Sequence, residues 1–254
     1  MAILKFDNVS KFFGTTVAVY QLNLEVEEGE FFGFLGPNGA GKTTTIKMAT
    51  GLLHPTEGRI TIGGLDIHKY PEEAKRLIGY IPDSPFIYEK LTGREFLHFV
   101  GGLYGMSERS IRNRVGWLFE LFKIGDWGDE LAGSYSHGMK QKIVFSSALL
   151  HNPKLIIIDE PLVGLDPQSQ KLVKDVLSQL VSMNHTVFMS THTLPVAEEL
   201  CTRIGIIHEG KLLQTGTIDE LKEQAHTKGT SLESLFLDLT GGKLEVWFPQ
   251  EEDM

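Results

Sequence analysis

The stretch Gly36-Pro37-Asn38-Gly39-Ala40-Gly41-Lys42-Thr43 constrains this chain more than any other. It has the form G-x-x-x-x-G-K-T, which binds phosphate when it joins a strand to a helix. Both flanks meet that condition. Phe31, Phe32, Phe34 and Leu35 form an apolar run suited to a buried strand, and Thr44, Thr45, Ile46, Lys47 and Met48 open a helix. Glycines at 36, 39 and 41 let the backbone curl with no Cβ against a ligand. The curl turns N–H groups inward, and the helix adds the positive end of its dipole. Together these make a cradle for the β- and γ-phosphates of a nucleotide. Pro37, Asn38 and Ala40 complete the loop. Lys42 reaches the phosphates as a point charge, Thr43 offers its hydroxyl to Mg²⁺, and Thr44 is placed to donate a further hydrogen bond.

A second feature narrows the reading. Leu155-Ile156-Ile157-Ile158-Asp159-Glu160-Pro161 is a run of four apolar residues followed by two adjacent acids. Such a run belongs to a central parallel strand covered on both faces. Ligands of open α/β sheets lie at the carboxyl ends of the strands, which is where these acids fall. Neighbouring strand residues point to opposite sides, giving the two carboxylates separate tasks. Asp159 is expected to hold Mg²⁺ through water, and Glu160 to stand nearer the attacking water as general base. An acidic loop after a strand is common by itself. Its coincidence with Lys42-Thr43 gives it weight.

Composition sets the outer bounds. A chain of 254 residues, 41% hydrophobic and 22% charged, buries a sizeable core as a soluble globular protein. Its formal net charge of −9 argues against nucleic acid as the main partner, and none is expected. The single cysteine, Cys201, excludes an internal disulfide and suits a reducing compartment. No apolar run has the length of a bilayer, the first seven residues lack a leader pattern, and there is no internal repeat.

Hydrophobic periodicity orders the rest. Residues 3–9 and 22–26 alternate as an antiparallel β layer ahead of the glycine loop. Short strands are expected at 59–62 and 78–81, with a helix over 72–78. From 86 to 152 strand signals stop, and helices are expected over 93–104, 108–122 and 137–150. Their Phe and Leu stripes form a small core of their own. Strands return at 155–158, 186–190, 204–208 and 211–215, with helices over 168–183, 195–201, 217–226 and 231–239. Leu244-Glu245-Val246-Trp247-Phe248 reads as a strand or a docking segment. The expected fold is α/β: a P-loop NTPase core with a mixed parallel sheet, an N-terminal antiparallel β layer and an inserted helical subdomain. As a single domain over 1–254, it assigns 1–85 and 153–220 to the core and β layer. Residues 86–152 make the helical subdomain, and 221–254 a C-terminal helical extension and tail.

Over about residues 3–220 the chain resembles the ATP-binding cassette (ABC) ATPases. Ser134-Tyr135-Ser136-His137-Gly138-Met139-Lys140-Gln141 is similar to the signature L-S-G-G-Q of that family. Ser136 and Gly138 are retained, while Tyr135, His137 and Met139 depart. Gly164-Leu165-Asp166 is similar to the loop that crosses a dimer interface, and Ser190-Thr191-His192 to the loop of the switch histidine. Phe13 stands where the family stacks an aromatic ring on adenine. After Tyr80-Ile81-Pro82 the family usually carries Gln; this chain has Asp83, still a hard oxygen acceptable to Mg²⁺.

The resemblance implies an ABC ATPase fold and a site shared between two copies. Ser136 and Gly138 of one cassette would cap the γ-phosphate of ATP held by Lys42 of the other. ATP then joins the cassettes and hydrolysis releases them. Lys42, Glu160 and His192 form the implied catalytic set, and Thr43, Asp159 and Asp83 the implied Mg²⁺ set. Residues 36–44 with Phe13, Ser136 and Gly138 form the implied nucleotide site. The implied partners are a second cassette, self or paralogue, and a separate membrane permease that holds the chain at the cytoplasmic side of the membrane. The overall style is that of bacterial exporters. Two alternatives stand beside transport: a non-transport ABC ATPase acting on DNA or ribosomes, and an ATP-binding regulatory module that does not hydrolyse. Against the first, long coiled-coil or zinc insertions and a second cassette are absent from this sequence; against the second, Glu160 and His192 are present.

Overall fold

The structure, a computed structural model, describes residues 1–227 and 231–241. Strands β1 (Ala2–Phe13) and β2 (Thr16–Glu27) form a hairpin that turns at Gly14, whose φ is +59°. Strand β3 (Phe31–Leu35) enters the glycine loop, and helix α1 (Lys42–Ala49) leaves it. Strand β4 (Glu57–Ile62) pairs back on β1, and a two-residue strand β5 (Leu65–Asp66), not expected from the sequence, pairs with β4. Helix α2 (Pro71–Lys75) is shorter than expected, because Ile78 is already paired with Leu155 in strand β6 (Ile78–Ile81).

Helices α3 (Gly93–Leu103), α4 (Glu108–Leu121) and α5 (His137–Leu149) follow, with 3-10 turns at Gly125–Asp129 and Ala132–Ser134. Each of the three helices begins on a hydroxyl cap: Thr92 in a reciprocal box with Glu95, then Ser107, then Ser136. The chain then runs through β7 (Leu155–Asp159), α6 (Pro167–Ser182), β8 (Thr186–Thr191) and α7 (Leu194–Leu200). It ends in β9 (Arg203–His208), β10 (Lys211–Thr217), α8 (Ile218–Thr227) and α9 (Leu232–Leu239). The segment Leu244–Phe248 lies outside the described residues.

The strands make two sheets. One is antiparallel, in the order β2-β1-β4-β5; the other has the order β10-β9-β3-β8-β7-β6, parallel except for the β10 edge. Strand alternation divides the core between them. Phe32, Phe34, Ile157 and Phe188 face the antiparallel sheet and α1, where the rings of Phe32 and Phe188 stack at 5.7 Å. Phe31, Leu35, Ile156, Ile158, Val187 and Met189 face the other way, in one core with residues of the helical block. Both faces of β3, β7 and β8 are therefore covered, which explains their unbroken apolar runs. In β1 simple alternation fails: Ile3 and Leu4 are both buried, because the register with β2 shifts between Ala2 and Leu4.

The helical block is tied to the large sheet at the end of α5. His151 Nε2 lies 2.9 Å from the Ile78 carbonyl of β6, and its ring stacks on Tyr104 at 3.7 Å. Arg114 donates to the carbonyls of Leu149 and Leu150 at 2.7 and 3.2 Å, closing the C-terminal end of α5. Burial pushes the His151 imidazole down to about 4; the Ile78 carbonyl opposes that shift and Arg114 adds to it. The folded value lies below the free imidazole value of about 6.5, so on acidification the unfolded chain takes the proton first. The stability that His151 contributes is present above about pH 6.5 and is lost as the pH falls toward 4. In urea unfolding between pH 7.5 and 4.5, His151→Phe should keep the stack on Tyr104 and lose part of this acid sensitivity. Its stability at pH 7.5 should fall by about 1 kcal/mol, because the Ile78 carbonyl loses its donor. A variant whose pH profile runs parallel to wild type would contradict this account.

Candidate functional site

The glycine loop is wedged against its neighbours. A Cβ on Gly36 would stand 2.3 Å from the Ile207 carbonyl oxygen of β9, and one on Gly41 2.5 Å from that of Ala18 in β2. Gly41 also has φ +107°, a conformation that a side chain strains. The Gly36 N–H donates to the Thr191 carbonyl at 3.3 Å, and the Gly210 N–H to the Ala40 carbonyl at 3.0 Å. A cavity of about 340 Å³ opens over the loop. Asn38, Gly39 and Gly41–Thr44 line one side, Thr16–Ala18 of β2 another, and Asp83 and Glu160 complete it. Gly36 and Pro37 lie behind it; their carbonyls accept from Lys42 Nζ at 2.7 and 3.1 Å. Phe13 is half exposed at the hairpin tip, with Lys11 Nζ 5.1 Å from its ring centroid. It does not line the cavity itself, but the strand it turns into does.

The carboxylates come to this cavity by the alternation of β7. Asp159 continues the face of Leu155 and Ile157, which α1 covers. It is 1% exposed, and its Oδ1 accepts a short hydrogen bond from Ser190 Oγ. Burial raises its pKa above the ordinary carboxylate value. Bonds from Ser190 and Thr43 oppose the rise, and the charges of Asp83 and Glu160 add to it. Its Oδ2 is buried with no hydrogen-bond partner. A desolvated carboxylate oxygen beside the Thr43 hydroxyl suits a hard divalent cation such as Mg²⁺. Among the described residues no group of three His, Cys, Asp or Glu side chains could hold a metal ion.

Glu160 leaves the strand. Its φ is +49°, rare for a residue with a side chain, and its N–H lies 3.2 Å from Ser190 Oγ and 3.3 Å from the Ser190 carbonyl. This turn carries Glu160 Oε1 to 3.5 Å from Lys42 Nζ and Oε2 to 3.0 Å from His192 Nδ1. Lys42, Glu160 and His192 thus form one connected chain from the loop to the end of β8. Strained backbone of this kind persists where the surroundings over-determine it, and it clusters at functional sites.

Ser136 and Gly138 lie elsewhere. Ser136 Oγ caps α5 by accepting from the Met139 N–H at 3.3 Å. The His137 ring lies against Gly164, where a Cβ would be 3.2 Å from Nε2, and Leu165 approaches Gly138. Asp166 caps α6, accepting from the N–H groups of Gln168 and Ser169 at 3.0 Å. These residues form a second group, and none of them lines the cavity over Lys42. The departure at Tyr135 has a local reason. Its buried hydroxyl accepts from the Gly93 N–H at 3.0 Å and stands 2.9 Å from the carbonyls of Trp127 and Glu130. It thereby fixes the start of α3 to the turn before the motif.

Sequence reasoning missed two contributors. Thr16–Ala18 line the cavity because a hairpin folds over it; the only signal was the turn at Gly14. Ser190 holds both Asp159 and Glu160, and nothing local to Ser190-Thr191-His192 announces that pairing.

Comparison with known proteins bears on the whole arrangement. The family described as ABC transporter matches residues 19–163. The bacitracin transport ATP-binding protein BcrA of Bacillus licheniformis is 40% identical over 223 residues, covering 87% of this chain and 72% of that protein. A solved ATP-binding subunit of an ABC transporter superposes with a TM-score of 0.87 at 34% identity, covering 93% of this chain and 99% of that one. A dimeric, post-hydrolysis ATP-binding cassette bound to ADP and Pi gives a TM-score of 0.78 at 25% identity, covering 85% and 98%.

The geometry of the loop makes one outcome specific. Gly36→Ala drives a methyl group into the Ile207 carbonyl, so the loop must move while both sheets stay. The circular-dichroism spectrum should be retained, while ATP binding measured by calorimetry weakens at least about tenfold, or 1.4 kcal/mol. Unchanged affinity would show that the close packing of the loop is not what shapes the cradle.

Proposed function

The chain belongs to the ABC transporter family as an ATP-binding subunit, and from that premise we propose that it hydrolyses ATP with Mg²⁺ between two facing cassettes and so drives a separate membrane permease. The chain Lys42–Glu160–His192 carries the catalytic part of this reading. Lys42 holds the β- and γ-phosphates. Glu160 accepts the proton of the attacking water, and its Oε2 is held in place by His192 Nδ1. Mg²⁺, when bound, neutralises charge on the phosphate oxygens; Thr43 and Asp159 would hold it, with Asp83 on the rim.

The dimer rests on a division of parts. Ser136, Gly138 and the loop through Asp166 sit together and apart from Lys42, so one copy supplies each half of a complete site. The N-terminus of α5 offers N–H groups and a helix dipole to a phosphate carried by the other copy. The ADP-bound cassette of similar fold is itself dimeric, which supports this.

Among the described residues no helix is long and apolar enough to cross a membrane, which supports a separate permease. The loop through Phe86 and Tyr88 suits that contact. Phe86 is 69% exposed, and Tyr88 touches Phe86, Phe96 and Phe99 edge to face. Val100, which follows Phe99 in α3, lines a cavity of about 230 Å³ with Leu52, Tyr80 and Tyr104. Exposed aromatic rings next to a cavity favour a helical segment of a partner. A cytoplasmic position at the membrane follows from that partner, and export is the favoured direction by likeness to the Nod factor export ATP-binding protein I of Burkholderia lata.

Phosphate release from ATP and Mg²⁺ tests the proposal directly. Glu160→Gln keeps the shape of the side chain and removes the base, so turnover should fall by about 10²- to 10⁴-fold. With ATP retained, the variant should elute as a dimer in size-exclusion chromatography, where wild type without ATP runs as a monomer. Turnover near wild type would remove Glu160 from the mechanism. A wild type that binds ATP without turnover would support the regulatory alternative.

A further inference from the structure

On the ATP-site reading above, we propose that Asp83 makes the site select the metal complex of ATP over metal-free ATP by charge. Among the residues lining the cavity, Lys42 is the one cation, and it shares the lining with Asp83 and Glu160. Asp159 lies one layer in, where the Thr43 hydroxyl of the lining helps lower a pKa that burial raises. The ammonium of Lys42 is already engaged by the carbonyls of Gly36 and Pro37 and by Glu160. Two carboxylates thus border a space meant for a polyanion and a third lies behind its wall, with one positive side chain in the lining.

The three acids are not equivalent. Glu160 is held by Lys42 and His192, and Asp159 by Ser190 and Thr43. Asp83 accepts only from the N–H of its neighbour Ser84 at 2.8 Å; it is exposed and makes no ion pair among the described residues. Its charge reaches inward nonetheless: it adds to the raised pKa of both Asp159 and Tyr80. Asp83 is therefore the acid whose charge the protein leaves uncompensated at the mouth of the cradle.

Metal-free ATP brings like charge to that mouth. A bound divalent cation removes two charges from the nucleotide and presents a hard centre to the orphaned Oδ2 of Asp159. The two acids then act in opposite senses. Asp159 draws the metal complex inward, and Asp83 disfavours the bare phosphate. An amide at position 83 offers an oxygen with no charge and loses the second effect. Because Asp83 is exposed, water and salt limit the discrimination to a modest factor.

Calorimetry on the full chain separates these effects without reference to turnover. The titrants are ATP in EDTA and the non-hydrolysable analogue AMP-PNP in Mg²⁺, with wild type, Asp83→Asn and Asp83→Glu. Asp83→Asn should bind metal-free ATP about tenfold tighter than wild type, equivalent to 1.4 kcal/mol, and the gain should shrink at high salt. Asp83→Glu, which keeps the charge, should behave as wild type. Metal-free affinity of Asp83→Asn within roughly twofold of wild type, where the charge argument expects a clear gain, overturns the proposal. A wild type that fails to bind AMP-PNP in Mg²⁺ overturns the ATP-site reading on which it rests.

Discussion

Asp159 ends a strand that is buried on both faces, so its carboxylate sits almost wholly out of water. Removing a charge from water costs several kcal/mol unless partners offset it. Ser190 and Thr43 offset part of that cost, and one oxygen is left without a partner. The sheet order makes this arrangement possible. Strand β8 lies between β3 and β7, so the loop after β3 and the acids after β7 never touch through the sheet itself. Three consecutive residues at the end of β8 join them. Ser190 bonds Asp159, the Thr191 carbonyl accepts from Gly36, and His192 holds Glu160. One strand end thus positions the glycine loop, Asp159 and Glu160 at once.

Much of this was legible in the sequence because it is local. The strand, glycine loop and helix of residues 31–49 follow from an apolar run, glycine spacing and a helical start, each readable within a few residues. The helices of the block from 86 to 152 were equally readable, since their apolar stripes and hydroxyl caps lie within single segments. What was hidden depends on distant partners. The end of α2 is set by pairing of Ile78 with Leu155, and the register shift in β1 by its pairing with β2. The positive φ of Glu160 is imposed by the turn out of a buried strand, and neither its own residue type nor that of Pro161 foretells it. Tyr135 looks like a defect in a motif until Gly93, 42 residues away, is seen to donate to it.

Helix α5 connects the two halves of the candidate site. Its N-terminus is the Ser136 cap beside the loop of Gly164. Its C-terminus is fastened to β6 through His151, and it packs so closely there that a Cβ on Gly79 would meet the Ala148 carbonyl at 2.4 Å. Thirteen residues of α-helix make a rod about 20 Å long. Strand β6 runs on from that junction into Pro82 and Asp83, the rim of the cavity, and then into the exposed aromatic residues Phe86 and Tyr88. A shift of the aromatic loop therefore acts on the same strand that anchors the far end of α5. Continuity of this kind supplies a lever but not a switch, since coupling requires an element with two states. In the proposed cycle, closure of two copies on ATP supplies those states. It brings Ser136 at the free end of α5 onto a phosphate, while the fastened end stays on the strand that leads to Asp83.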